Sequence, residues 1–344
     1  MIPVRNIYYM LSYAFQALNE NGYSDIATEN FSNAAELFAD ILSRGISVQL
    51  KRGLNKDYNE ISEPLSSIKG KIDVSDSIKT RSIMKSQLVC SYDEFSENSY
   101  FNRILKTTVF LLLKADISKA RKKKMKNLML FFSNVDLLDI HTIDWHIRYN
   151  KNNRSYHLLL SICNLVIKGL LQTQADGSTK LMTFLDEQRE CRLYEKFILE
   201  YYRRHFPMLS VNPEQIAWQL DDGEHSLLPI MKSDIMLCKG NHILIVDAKY
   251  YLHSTQEQYG IHTLHSGNLY QIFTYVKNKE YELKDKEHKV SGMLLYAKTD
   301  ESVQPDNSYV MSGNRISAKT LDLNLPFEKI SQQLNDIIKD EFDL

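Results

Sequence analysis

Lys232-Ser-Asp-Ile-Met-Leu-Cys-Lys-Gly-Asn-His-Ile-Leu-Ile-Val-Asp-Ala-Lys-Tyr-Tyr251 is the stretch on which the fold of this chain turns. Ile235 to Leu237 and Ile243 to Val246 are short apolar runs separated by Lys239-Gly240-Asn241-His242, the pattern of a β-hairpin with Gly-Asn in its turn. Asp234 opens the first strand and Asp247 closes the second, so antiparallel pairing carries both carboxylates to one end of the ribbon. Lys249 follows two residues later and points to the same face, because side chains alternate along an extended chain. An Asp-x-Lys pair on a strand is ordinarily a solvated surface pair. Here the apolar run Ile243-Leu-Ile-Val246 marks a buried strand and delivers the charges where a surface pair is not expected. Two hard oxygen ligands and one ammonium make a site suited to Mg²⁺ and a phosphodiester.

Two flanking elements stand in order around the hairpin. Cys191-Arg-Leu-Tyr-Glu-Lys-Phe-Ile-Leu-Glu-Tyr-Tyr202 has apolar residues at 193, 194, 197, 198 and 201, a helical stripe with Glu195 beside it. Asn268-Leu-Tyr-Gln-Ile-Phe-Thr-Tyr-Val276 carries Gln271 and Tyr275 four apart, on one helical face. Read singly, Glu195 is a helix-surface carboxylate and Tyr275 a core aromatic. Read in order with Asp234 and Asp247-Ala-Lys249, they resemble the PD-(D/E)xK nuclease motif, with Ser233 in place of its Pro. Gln271 and Tyr275 resemble the Gln-xxx-Tyr element of its RecB-like branch.

The resemblance narrows further. Ile2-Pro-Val-Arg-Asn-Ile-Tyr-Tyr-Met-Leu-Ser-Tyr-Ala-Phe15, Ile68-Lys-Gly-Lys-Ile-Asp73, Leu244-Ile-Val-Asp-Ala-Lys-Tyr-Tyr251 and Asn268-Leu-Tyr-Gln271 are similar to the McrC family over essentially the whole chain. These are the nuclease subunits of McrBC modification-dependent (5-methylcytosine) restriction systems. The resemblance implies an endonuclease acting on methylcytosine-containing double-stranded DNA, and a partner, a McrB-like AAA+ GTPase ring that it stimulates. GTP would belong to that partner, since this chain has no Walker loop. In this reading Asp234, Asp247 and the backbone carbonyl of Ala248 hold Mg²⁺, with Glu195 completing the set directly or through water. Lys249 orients or helps deprotonate the attacking water, and Gln271 and Tyr275 either contact the DNA backbone or position Lys249. Tyr250 is either packing or functional. One set of catalytic residues per chain implies two copies in the assembly that cuts both strands.

The rest of the chain sets bounds. At 344 residues, 43% hydrophobic and 25% charged, it reads as a globular protein of two domains. Cysteines at 90, 163, 191 and 238 have no paired or metal-ligand spacing and read as reduced thiols of a cytoplasmic protein. The start lacks signal-peptide character, and the apolar run near Val109 to Leu113 is far too short to span a bilayer, so no membrane is expected. A net charge of -1 argues against tight autonomous binding of long DNA and for delivery by a partner. The cluster Lys119-Ala-Arg-Lys-Lys-Lys-Met-Lys126 is a local basic patch whose plainest reading is a solvated helix face or loop.

The pattern predicts an α/β chain, α+β overall: a PD-(D/E)xK nuclease domain at 175–344 after a mixed helical and β-rich partner-binding domain at 1–174. In the first part, helices are expected over Asn6–Leu18, Asn33–Arg44 (ending at Gly45), Ser99–Lys114, Lys119–Ser133 and Ser155–Leu171. Short strands at Ser47–Arg52, Asp57–Ile61, Gly70–Val74 and Gln87–Tyr92 form a β-rich module at about 46–95, the finger-like part that the McrC resemblance aims at a ring's central pore. Arg52, Lys69 and Lys71 are its candidate partner contacts, or else ordinary edge-strand cations. Gln172 to Thr179 reads as a hinge. The second part is expected as helix Glu187–Arg204, strands near Gln215–Leu220, the hairpin, helix Asn268–Asn278, strand Gly292–Tyr296 and helix Leu325–Lys339. Two rival functions share the motif: a stand-alone RecB-like exonuclease, and a catalytically silent adaptor that activates a GTPase.

Overall fold

The computed structural model describes residues 2–15, 31–150, 153–175, 187–222, 226–258 and 261–344. The chain divides into two compact units, Asn21–Phe184 and, discontinuous around it, Met1–Glu20 with Leu185–Leu344. The division expected at 174/175 is therefore corrected: the first helix belongs with the last 160 residues, not with the segment that follows it. The cause is aromatic packing between helices distant in sequence. In α1 (Val4–Ala14), Tyr13 sets its ring 5.6 Å from Phe197 and 5.4 Å from Tyr201 of α7 (Glu187–His205). The Asn6 amide donates to the carbonyls of Leu323 and Leu325, both at 2.8 Å.

In the inserted unit, α2 (Ala34–Arg52) starts at Asn33, whose side chain accepts from Glu36 N, and stops at Gly53, where φ is 91°. The strand expected at Ser47–Arg52 is helix. Gly45 is not the stop but a buried mid-helix residue, and Arg52 ends α2 rather than lying in the β module. That module comprises β1 (Asp57–Leu65), β2 (Lys71–Asp73), the short α3 (Val74–Lys79) and β3 (Leu88–Ser96), with antiparallel order β1-β3-β2. Gly70, at φ 70°, turns into β2 where an added Cβ would lie 2.4 Å from Ser91 O, so no other residue fits. Then follow α4 (Tyr100–Lys114), capped by Ser99, α5 (Lys119–Met129) and α6 (His157–Ala175), all packed on α2, with Leu37, Ile41, Ile104, Leu105 and Ile162 fully buried. A buried knot ties the β module down: Asn102 donates to Asn55 O and Glu97 O, and Tyr156 OH donates to Asn102 Oδ1. Of the hinge at Gln172–Thr179, the part up to Ala175 is helix and the rest lies outside the described residues.

The second unit is built on a six-stranded sheet of order β12-β13-β11-β8-β7-β4. Its elements are α1, α7, β4 (Ser210–Asn212), β5 (Gln215–Ile216), β6 (Met231–Lys232), β7 (Ile235–Lys239), β8 (His242–Lys249), β9 (Thr255–Gln258), β10 (Ile261–Leu264), α8 (Ser266–Glu282), β11 (Lys289–Ala297), β12 (Asn307–Met311), β13 (Asn314–Leu321) and α9 (Phe327–Phe342). The hairpin pairs β7 and β8 as expected, Ile235 opposite Val246 through Lys239 opposite His242, with Gly240 at φ 62° in the turn. β8 pairs in parallel with β11, and β11 with β13, the order of an α/β crossover sheet. α8 crosses close over β11, where a Cβ on Gly292 would meet Ile272 and Val276 at 2.8 Å. Ile243 and Ile245 join Ile272, Tyr275 and Val276 in one core, so the odd-numbered side of β8 faces α8. Asp247 and Lys249 continue that side.

Candidate active site

Asp234 lies one step beyond the Ile235↔Val246 pair, so hairpin register sets it beside Asp247. Its Oδ2 accepts the Ala248 backbone N–H at 2.9 Å, which fixes the carboxylate across the strand end. Ser233, standing where the nuclease motif has Pro, clasps the backbone of Glu214: Ser233 N donates to Glu214 O at 2.9 Å and Glu214 N donates to Ser233 Oγ at 3.1 Å. Proline could make neither bond.

Charge is concentrated where little water reaches. Asp247 is 3% exposed and Lys249 9%. Lys249 Nζ lies 2.7 Å from Asp247 Oδ2 and donates to Gln271 Oε1 at 3.1 Å, and Gln271 Nε2 donates to Tyr275 OH at 2.9 Å. The helical spacing of Gln271 and Tyr275 thus becomes a chain of contacts that runs from Asp247 through Lys249 into α8. Burial works against the charge of Lys249, but Asp247 outweighs it and holds the ammonium above its ordinary range. Asp234 is pushed the other way for a carboxylic acid, up to about 8, first by burial, then by hydrogen bonding with Asp247 and its charge, then by Glu195. Two carboxyl groups this close repel one another when both are ionised, a negative potential that a cation would relieve.

That potential is the test of fit for a cation. Asp247 Oδ2 is fully buried, and the Lys249 ammonium lies 2.7 Å from it. Mg²⁺ is commonly held by one or two carboxylates with water filling the remaining positions. Among the described residues no three His, Cys, Asp or Glu side chains gather closely enough to hold a metal by themselves. Glu195, half-buried on α7, contributes charge to Asp234 without making a three-carboxylate cage. The carboxylates of Asp234 and Asp247 are hard oxygen donors of the kind Mg²⁺ takes.

Supporting residues appear that the sequence reading did not single out. Asn268, buried in the first turn of α8, accepts from Tyr251 OH at 3.3 Å and donates to Tyr296 OH at 3.2 Å, bracing the chain just past Lys249 against β11. Tyr296 pairs with Lys249 across the parallel ladder. Glu301 holds the next segment by accepting from Ser254 N at 2.5 Å and from the hydroxyls of Ser254, Thr255 and Thr299 at 2.8 Å each. Burial opposes its charge, but these donors win and keep its carboxyl low, at about 2. Only the Asn-Leu-Tyr-Gln run hinted at Asn268. Tyr250 brings its ring 6.0 Å from that of Tyr194 on α7.

The partner-contact candidates lie in the inserted unit, and all three are exposed. Lys69 sets its ammonium 3.6 Å over the Tyr92 ring, Lys71 opens β2, and Arg52 stands apart at the end of α2. Among the described residues, no helix is long and apolar enough to cross a membrane.

Comparison with known proteins matches residues 4–297 to a family model described as McrBC 5-methylcytosine restriction system component. The chain is 30% identical, over 99% of its length and 98% of the relative's, to the type IV methyl-directed restriction enzyme EcoKMcrBC of Escherichia coli K12. Among solved structures it is similar to a half-complex of Thermococcus gammatolerans McrB AAA+ hexamers with bound McrC, at 17% identity and TM-score 0.49, covering 98% of this chain and 76% of that one. A second structure, the Thermococcus gammatolerans McrBC complex, matches at 16% identity and TM-score 0.37, over 49% of this chain and 55% of that one.

Proposed function

Because the chain belongs to the family of McrBC 5-methylcytosine restriction system components, we propose that it is the subunit that cuts DNA, a Mg²⁺-dependent endonuclease acting in the cytosol on methylcytosine-containing duplexes. Its partner is a McrB-like AAA+ ring, which binds GTP and whose hydrolysis it stimulates. The observation that carries this reading is the buried series Asp234, Asp247, Lys249 and Gln271 at the end of β8, two carboxylates and an ammonium gathered at one strand end.

Asp234, Asp247 and the Ala248 carbonyl would hold the Mg²⁺, with Glu195 completing the set directly or through water. When bound, the ion supplies a water of lowered pKa and offsets charge on the scissile phosphate. Lys249, held 2.7 Å from Asp247 and steadied by Gln271, would direct its ammonium to the phosphate oxygens and the attacking water. Tyr275 anchors Gln271, and Asn268 with Tyr251 keeps the strand end from fraying. With one such set among the described residues, a double-strand break would take two copies.

The experiment combines the purified chain, its AAA+ partner, GTP and Mg²⁺ on a methylated circular plasmid, with wild-type and Asp247→Ala chains mixed in varying ratio. Linear product with wild type, and nicked circles that rise and then fall as the inactive chain is added, are expected. A strictly proportional loss of linear product without nicked circles would mean that one site cuts both strands. Failure of wild type to cut any form would refute the endonuclease reading.

A further inference from the structure

Helix α5 carries a stripe of four lysines. Lys119, Lys122, Lys123 and Lys126 stand at i, i+3, i+4 and i+7, the spacing of a single helical face. The opposite side fastens the helix. Met125 is fully buried, Arg121 pairs with Glu36 and sits over the Phe31 ring, and Lys124 Nζ lies 3.7 Å from Asp40. Glu36 and Asp40, both buried on α2, are the nearby acids, and Arg44 takes the second oxygen of Asp40 at 2.6 Å. Ser118 N, at the helix start, donates to Glu36 as well. Glu36 and Asp40 are thus engaged on the anchoring side, and the exposed Asp116 just before the helix makes no ion pair with the stripe among the described residues. Among the described residues, none of the four stripe lysines has an acidic partner, and Lys119, Lys123 and Lys126 are exposed.

Four unpaired positive charges over a span of roughly 10 Å form a line, in a chain whose net charge is -1. Duplex DNA presents phosphates every 3.4 Å or so of axis on each strand, so a rigid line of this length meets about three or four of them. Lysine is a compact, hydrated point charge on a flexible stem, suited to following a phosphate track, whereas bidentate or stacked recognition selects arginine. We infer that this stripe docks the phosphate backbone of duplex DNA, independently of base sequence and methylation, from the unit that lacks the catalytic residues. The inference rests on DNA being the substrate but requires no cleavage. Exposed Leu130 and Phe131 follow the stripe, and they are the feature an acidic protein partner would use instead.

The test measures equilibrium binding of the full chain to duplexes of about 30 base pairs in EDTA, by fluorescence anisotropy across a salt series, a length that gives several phosphates on each face. Lys→Gln at all four positions keeps helix propensity nearly unchanged. It should make the slope of log affinity against log salt shallower by about 3–4, equally for methylated and unmethylated DNA. Wild type should then lose about 100-fold more affinity than the variant between about 50 and 200 mM salt. Lys→Arg at the same positions should restore the slope. Should the quadruple variant misfold, single Lys→Gln changes should each lower the slope by about 0.9. An unchanged slope in folded variants, no wild-type binding at low salt, or loss of AAA+ partner binding with the DNA slope intact would each overturn the inference. Because EDTA removes cleavage from the measurement, a binding result stands or falls apart from the nuclease reading.

Discussion

The ribbons β7–β8 and β1–β3 are both antiparallel pairs rich in charge, and they teach opposite lessons. β8 runs through the middle of its sheet, with Leu244 and Ile245 sealed off and Asp247 and Lys249 nearly so. β1 and β3 pair over nine positions, yet Tyr58 and Phe95, opposite each other in register, are 73% and 56% exposed. A buried charge costs several kcal/mol unless something compensates it, so each charged group on β8 has a definite neighbour and the neighbours define chemistry. A solvated charge costs almost nothing. The charged side chains of β1 and β3 are therefore free of that discipline, and no single one of them stands out.

The comparison breaks most visibly at Asp247. Asp247→Ala should lower cleavage of a methylated plasmid by about 10³-fold or more, the scale of losing a group that acts on transition-state charge. Stimulation of the partner's GTPase should stay within about twofold if the two units divide the labour. A folded variant that lost both would erase the contrast between the ribbons.

Gln271→Ala tests the chain of contacts one link further out. Freed from its side-chain brace, Lys249 should still act but less well oriented, for a loss of about 10-fold in cleavage rate with little change in DNA affinity. Tyr275→Phe, which removes only the hydroxyl that receives Gln271, should cost less. An effect of Tyr275→Phe larger than that of Gln271→Ala would put Tyr275 on the substrate instead.

Stability against pH sharpens the same contrast without catalysis. In metal-free protein, Asp234 holds its proton to about pH 8, well above the unfolded carboxyl, because of burial and Asp247. Between those two values the folded state binds more protons than the unfolded state, so stability falls as pH rises through that window. Asp234→Asn should flatten this decline and raise the melting temperature at pH 8, and added Mg²⁺ should do the same for wild type only. A wild-type melting curve that rises from pH 5 to 8 without metal would contradict the crowded-carboxylate account. The smallest effect belongs to the exposed ribbon: Tyr58→Ser or Phe95→Ser should change folding stability by less than about 1 kcal/mol by denaturant titration, as expected of surface sites. Ile245→Ala, on the same scale, should cost about 2–5 kcal/mol.

What could be read from sequence followed sequence distance. The hairpin was legible in full, since its apolar runs, its Gly-Asn turn and its two acids lie within 20 residues and obey a period of two. Gln271 and Tyr275 were legible as a helical pair, and the structure adds the hydrogen bond between them. Asn268 and Tyr296 were not, because their meeting depends on β11 pairing in parallel with β8, a juxtaposition no local pattern encodes. Gly45 misled because a glycine after a periodic run reads as a helix stop, whereas burial carried the helix on to Gly53. The β12–β13 hairpin did leave a signal in Ser312-Gly313, which forms its turn with both residues at positive φ. The place of α1 was beyond reach, since its partner helix begins only at Glu187.

That last feature bears on how the protein is made. On a ribosome adding about 5–20 residues per second, α1 emerges roughly 10–40 s before α7 is complete. During that interval the whole inserted unit can emerge and fold, while Leu11 and Tyr13 wait without the surface that will cover them. The hairpin bearing Asp234 and Asp247 comes later still, followed by α8, β11 and α9. A nascent chain therefore has its inserted unit well before it can assemble the strand end that carries Asp234, Asp247 and Lys249, and a prematurely released product stops short of that site.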